Sequence, residues 1–366
     1  MRDPDCAYSA PRRRWRVLLL YVDRFGLPDM HVLLIGGTGL ISTGITRQLV
    51  EAGYEVTCFT RGESEETVPD RVRFITGDRN DPDDLQRAVE AEPDCLIDMV
   101  CFSPEQAEAA IDTFGGTIDQ FVYCSTVDVY HRPPERNPVT ESAAREPAVS
   151  EYGEKKAAAE DVFMEADGRA FATTIIRPWH TYGEGGSVLH TLGYGTYFLD
   201  RLWEGKPVIV HGDGTSIWAP CHRDDVARAF VAAVGNETAY GEAYHVTSEE
   251  HITWNQYYRR VARAIGAPEP DLVHIPTRQL LEILPDRTYP LEAHFQYSSV
   301  FDNAKARRDL DYRYTIAFED GVRRTVERLK ADDAIDPWDT EDDDVIIEAW
   351  NEALNAFEER VSISQQ

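Results

Sequence analysis

The stretch Val32-Leu33-Leu34-Ile35-Gly36-Gly37-Thr38-Gly39-Leu40-Ile41-Ser42 decides the fold. Its first four residues form an apolar run of the length expected for a strand buried on both faces. The glycines at 36 and 39 allow a tight turn in which backbone N–H groups approach a pyrophosphate. A helix opening near Leu40 aims its positive N-terminus at the same point. Gly36, Thr38, Gly39, Leu40 and Ile41 are therefore candidate cofactor contacts. A lone GxxG turn is a weak signal, but this one follows a strand and opens a helix. Ser42 takes the place of the usual third glycine and is small enough for close helix–strand packing.

Downstream, strand and helix patterns alternate. His31–Ile35 reads as strand, Leu40–Ala52 as helix closed by Gly53, Glu55–Thr60 and 72–76 as strands. Asp81-Pro82 starts a helix through Glu90. Residues 95–100, 120–124 and 171–176 read as strands; 104–113 and 150–166 read as helices, the second with Ser150 as N-cap. Helical crossovers of this length imply a doubly wound parallel sheet, the Rossmann α/β plan, with its ligand crevice at the carboxyl ends of the strands.

The expected organisation is an N-terminal extension over 1–29, a dinucleotide-binding core over 30–180, and a smaller substrate lobe over 181–330 with segments returning to the core. An acidic linker and terminal helix follow over 331–366. The glycine-rich segment 183–195 reads as mobile and close to the site. Val345, Ile346, Ala349, Trp350, Ala353, Leu354 and Phe357 recur at helical spacing, which predicts a packed terminal helix.

The formal charge is −28, with only five lysines among 37 basic residues. This composition resembles that of proteins from extreme halophiles, whose carboxylate surfaces stay hydrated when salt screens other charges. It weighs against nucleic acid as a partner, because phosphate-backbone binding requires basic patches. The six cysteines show no CxxC spacing and several lie in apolar runs, which predicts reduced thiols in a cytoplasmic protein and no metal site. No run reaches the roughly 18 apolar residues of a membrane span. Arg12-Arg13-Arg14 precedes an apolar run, yet Asp23 and Arg24 end that run after six residues, too short for an export signal.

Three further positions complete the cofactor reading. Strand 55–60 ends at Arg61, a base where an acid would hold the ribose hydroxyls of NAD, which favours NADP over NAD. Gly77-Asp78-Arg79 closes the next strand, placing the Asp78 carboxylate to accept from an adenine amino group, with Arg79 beside it. Tyr152 and Lys156 are i and i+4 on one helix face. The ammonium is expected to lower the phenol's pKa, so that Tyr152 exchanges a proton with a substrate hydroxyl or carbonyl. Ser125 and Thr126, at the end of strand 120–124, are the candidates for holding the substrate oxygen.

These motifs, with Val129-Tyr130, Arg177-Pro178, Gly212-Asp213-Gly214, His222-Arg223-Asp224-Asp225 and Asp302-Asn303-Ala304-Lys305, resemble the extended short-chain dehydrogenase/reductases, the NAD-dependent epimerase/dehydratase family. Within it, the chain resembles the branch containing the chloroplast stem-loop-binding proteins. The resemblance implies catalytic roles for Thr126, Tyr152 and Lys156, a cofactor contact at Pro178, and paired subunits, since family members are often homodimers. Family nucleotide-sugar enzymes carry an Asn and an Arg where this chain has His180 and Trp218, so the usual grip on a sugar diphosphate is missing. Asp128 stands where family dehydratases have Glu, which disfavours 4,6-dehydration. Asp128, His180, Trp218 and Ser125 are the expected substrate contacts, with core packing the alternative role for His180 and Trp218. The resulting expectation is an NAD(P)-dependent oxidoreductase or epimerase acting on a small metabolite or sugar derivative. The alternative is an RNA-binding or cofactor-sensing protein on the same fold without turnover.

Overall fold

The computed structural model describes residues 30–63, 68–146, 148, 150–339 and 341–364. The segment 1–29 lies outside the described residues, as do the readings made on it. The chain opens with β1 (His31–Ile35), α1 (Leu40–Ala52), β2 (Glu55–Thr60), β3 (Arg73–Thr76), α2 (Pro82–Val89) and β4 (Cys95–Asp98). It continues through α3 (Pro104–Phe114), β5 (Gln120–Cys124), α4 (Glu151–Ala166) and β6 (Ala172–Pro178). Next come β7 (Thr181–Tyr182), α5 (Tyr197–Trp203), β8 (Val208–His211), β9 (Ile217–Trp218), β10 (Cys221–His222), α6 (Arg223–Ala233) and β11 (Glu242–Val246). Seven strands form one sheet in the order β11-β6-β5-β4-β1-β2-β3. Every pairing in it is parallel. The order reverses between β1 and β4, the topological switch point where doubly wound folds bind ligands.

Alternation along the strands divides the core. Val32, Leu34, Cys58, Ile97, Val122 and Ile176 face one layer with α1 and α6. Leu33, Phe59, Leu96, Phe121, Tyr123 and Ile175 face the other, with α3 and α4. Buried on both faces, these strands read as continuous apolar runs rather than alternating ones. β4 ends at Asp98, two residues short of the expected strand, because the Asp98 carboxylate accepts the Val100 N–H at 2.9 Å and turns the chain.

The C-terminal part of the chain has its own aromatic core, in which Trp218 lies 4.8 Å from Trp179, 5.5 Å from Trp254 and 4.7 Å from Phe295, ring centre to ring centre. The glycine-rich segment is not a loose loop: Val188, Leu189 and Leu192 are buried in this core, and the Tyr257 hydroxyl donates to the Leu189 carbonyl at 2.8 Å. The terminal helix spans Asp343–Ser364. Ile347 is buried and Trp350 packs beside it, whereas Val345 and Phe357 face solvent, so packing involves only the start of that helix.

Candidate active site

The turn after β1 is shaped by close approach. Gly36 has φ +81°, and a Cβ there would lie 2.7 Å from Val100; a Cβ on Gly37 would collide with the Cys58 thiol. The Gly36 N–H donates to the Phe59 carbonyl, stitching the turn to β2. Ser42 does more than save space, since its hydroxyl accepts the Gly39 N–H at 2.8 Å and caps α1.

A cleft of about 520 Å³ opens above this turn, lined by Gly36, Thr38, Gly39, Arg61, Asp78 and Arg79 among others. Phe59 and Val100 supply apolar wall, and Asn80 and Gln106 supply polar wall. The turn and the cleft together fit a dinucleotide, with side-chain-free backbone at one end and a carboxylate at the other. Asp78 Oδ1 accepts from the Asn80 backbone and side chain, both at 2.9 Å, which fixes its orientation. Arg61 is exposed and lies 3.1 Å from Glu63, an acid that the strand-end reading passed over. Arg79 is buried and pairs with Asp98 at 2.8 Å, tying the β3 loop to the end of β4 beneath the cleft. Leu40, Ile41 and Pro178 do not line the cleft. Leu40 instead packs under Gly186 of the glycine-rich segment.

Thr126, Tyr152 and Lys156 converge at the carboxyl ends of β4 and β5. Thr126 leaves β5 and caps the short turn Val127–Val129, accepting the Asp128 N–H at 3.2 Å. Ser150 caps α4 by accepting the Gly153 N–H at 3.0 Å, so Tyr152 lies in the first turn of that helix. The Tyr152 ring is 41% exposed and neighbours Phe102 at 6.4 Å. Lys156 is fully buried and donates to the carbonyls of Cys101 at 2.7 Å and Cys124 at 2.6 Å. Its ammonium lies 5.9 Å from the Tyr152 ring centre.

The expected electrostatics of this pair are not what the geometry produces. The Tyr152 phenol is raised above the usual tyrosine range, first by its removal from water and then by nearby Cys124 and Asp128; a hydrogen bond with Thr126 acts in the lowering direction. The Lys156 charge is spent on two backbone carbonyls. Burial pulls its own pKa down.

Asp128 Oδ1 lies 3.6 Å from His294 Nδ1. His180 stacks on Trp218 at 5.4 Å, and burial, with His294 nearby, pulls its pKa down to about 3. His180 Nε2, Trp218 Nε1 and Ser125 Oγ are buried without hydrogen-bond partners among the described residues. Sequence reasoning missed the scaffold behind these groups. Arg177 grips Glu160 through Nε at 2.7 Å and Nη2 at 2.6 Å, and donates to the Tyr130 hydroxyl at 2.6 Å. Tyr130 in turn meets His245 Nε2 at 2.6 Å. The network ties α4, β6, β11 and the Thr126 turn together. Glu160 lies four residues beyond Lys156, a spacing that could have flagged it. Among the described residues, no cluster of side chains could hold a metal ion, and no helix is long and apolar enough to cross a membrane.

The profile of the NAD dependent epimerase/dehydratase family matches residues 32–247, and the chain belongs to that family. It is an enzyme of the epimerase/dehydratase or reductase type. It is 32% identical over 276 residues to the 2'-dehydrokanamycin reductase of Streptomyces kanamyceticus, covering 75% of this chain and 77% of that protein. It is 27% identical over 308 residues to the chloroplast stem-loop binding protein of 41 kDa b of Arabidopsis thaliana, covering 80% and 78%. Its fold matches the UDP-glucuronic acid 4-epimerase from Bacillus cereus in complex with NAD, at TM-score 0.65 and 18% identity over 82% of this chain and 99% of that one.

Proposed function

We propose that this protein is an NAD(P)-dependent reductase of a small ketone or sugar-derived carbonyl, with NADP the preferred cofactor. The convergence of Thr126, Tyr152 and Lys156 beside the glycine turn carries this reading. When bound, the cofactor supplies the hydride. Thr126 holds the carbonyl oxygen, and Tyr152 donates the proton that completes the alcohol. The Tyr152 phenol is protonated at neutral pH, as an ordinary tyrosine is, and this is the form that a reduction requires. Lys156, anchored by two carbonyls, has a third N–H to offer the cofactor ribose.

Reduction is favoured over nucleotide-sugar epimerisation because His180 and Trp218 occupy the places of the family's diphosphate-binding Asn and Arg. The 2'-dehydrokanamycin reductase relative supports the same direction. The test is NAD(P)H oxidation against a carbonyl panel, with Tyr152→Phe as the control. That variant should lose about 10²–10⁴-fold in kcat while binding cofactor within about threefold of wild type. Saturable RNA binding without any carbonyl turnover would replace this reading with the nucleic-acid one.

A further inference from the structure

Four arginines are buried among the described residues: Arg79, Arg132, Arg177 and Arg201. Three pair with carboxylates: Arg79 with Asp98, Arg177 with Glu160, and Arg201 with Asp343 and Asp344. Arg132 forms no such ion pair among the described residues. Its one hydrogen bond runs from Nη1 to the Ser299 hydroxyl. Nε and Nη2 are buried, and no group among the described residues accepts from them. These two nitrogens share the edge of the guanidinium that grips a carboxylate bidentately. Arg177 uses that same edge on Glu160.

The surroundings of Arg132 are aromatic. Its guanidinium carbon lies 5.6 Å from the Trp179 ring centre and 5.3 Å from that of Phe301, so aromatic faces flank the cation. Trp179 continues into the Trp218–His180 stack. Asp128, four residues before Arg132 and next to the Thr126 turn, is close enough to favour the Arg132 charge but forms its contact with His294, at 3.6 Å, and none with the guanidinium. A buried guanidinium with no contacting carboxylate is expensive, and an anion on its free edge would offset that cost.

We propose that the Nε/Nη2 edge of Arg132 binds a substrate oxyanion, a carboxylate or a phosphate, and so selects anionic carbonyl compounds. This deepens the reductase reading and rests on it for the identity of the bound molecule as substrate. A buried guanidinium would repel a cationic substrate at the same edge.

The test is isothermal titration of the full chain, without cofactor, with 4-oxopentanoate, its neutral methyl ester and inorganic phosphate. The acid should bind at least tenfold more tightly than the ester, and Arg132→Met should remove that difference. Phosphate binding in place of the acid, lost in the same variant, would support the site and assign it to phosphate. Should Arg132→Met fail to fold by circular dichroism, Arg132→Lys keeps the charge without the fork and should weaken the anion several-fold. Equal binding of acid and ester without phosphate binding, or anion binding unchanged in a folded variant, would overturn the proposal. No hydride moves in this titration, so the anion site and the reductase reading stand or fall separately.

Discussion

A Cβ placed on Gly153 would collide with the carbonyl oxygen of Asp128 and lie 2.9 Å from its carbonyl carbon. The glycine directly after Tyr152 thus lets α4 pack against the turn that begins at Thr126. In an ordinary helix, Gly→Ala stabilises by about 1 kcal/mol. Here Gly153→Ala should instead destabilise by about 1–3 kcal/mol through overpacking, and reduce kcat by separating Tyr152 from Thr126. Urea unfolding and steady-state kinetics on the same preparation check both, and a stabilised variant would remove the close contact from the argument.

Glu160 bears on the same alignment from the other end of α4. It is buried, holds Arg177 through two hydrogen bonds and also pairs with Arg145 at 3.0 Å. Glu160→Gln leaves the buried Arg177 guanidinium without its carboxylate, a loss of about 3–5 kcal/mol. The denaturant midpoint should fall accordingly with the m-value unchanged. A variant as stable as wild type would show that neutral acceptors, the Tyr130 hydroxyl and the Glu141 carbonyl among them, satisfy Arg177.

The fold was legible because its signals are local. The β1–turn–α1 stretch, the Asp81 and Ser150 caps and the strand runs each state their structure within a dozen residues. What stayed hidden is long-range. Nothing near Lys156 announces that its ammonium meets the carbonyls of Cys101 and Cys124, so the expected effect on Tyr152 followed from helix spacing alone. Arg132 and Ser299, or Arg177 and Glu160, become neighbours only once the lobe and sheet have packed. The glycine-rich segment misled for a related reason: glycine counts describe backbone freedom, while Val188, Leu189 and Leu192 between those glycines decide that it is buried.

Acid should destabilise the protein through its buried histidines. His180, His190 and His245 are pulled down to about 3, and His211 to about 4, with burial the largest cause in each. Unfolded, they titrate near 6.5, so between that value and about 3 the unfolded chain binds more protons than the folded one. Stability therefore falls as pH drops below about 6.5, with each histidine contributing up to about 1.4 kcal/mol per pH unit. Above pH 7 these groups contribute no slope. Unfolding midpoints at pH 7.5, 6.5 and 5.0 in constant salt should show a plateau and then a decline. Equal midpoints at 6.5 and 5.0 would mean that the folded state also accepts these protons.

Cofactor choice should be decided between Arg61 and Glu63. Both side chains are exposed, lie 3.1 Å apart and line the cleft, so their mutual ion pair is weak and can open to a ligand. A 2'-phosphate would draw on Arg61 and be repelled by Glu63. Arg61→Ser should raise the Kd for NADPH about tenfold, the size of one charge-assisted hydrogen bond, and change NADH by less than about twofold. Glu63→Ala should act in the opposite sense, tightening NADPH by removing a like charge and a competitor for Arg61. Both effects should shrink as salt rises, since neither side chain is shielded from solvent. Fluorescence titrations of the two nucleotides at low and high salt measure all of this. A wild-type protein that binds NADH as tightly as NADPH, with Arg61→Ser altering neither, would assign the site to NAD and leave Arg61 a solvated surface residue.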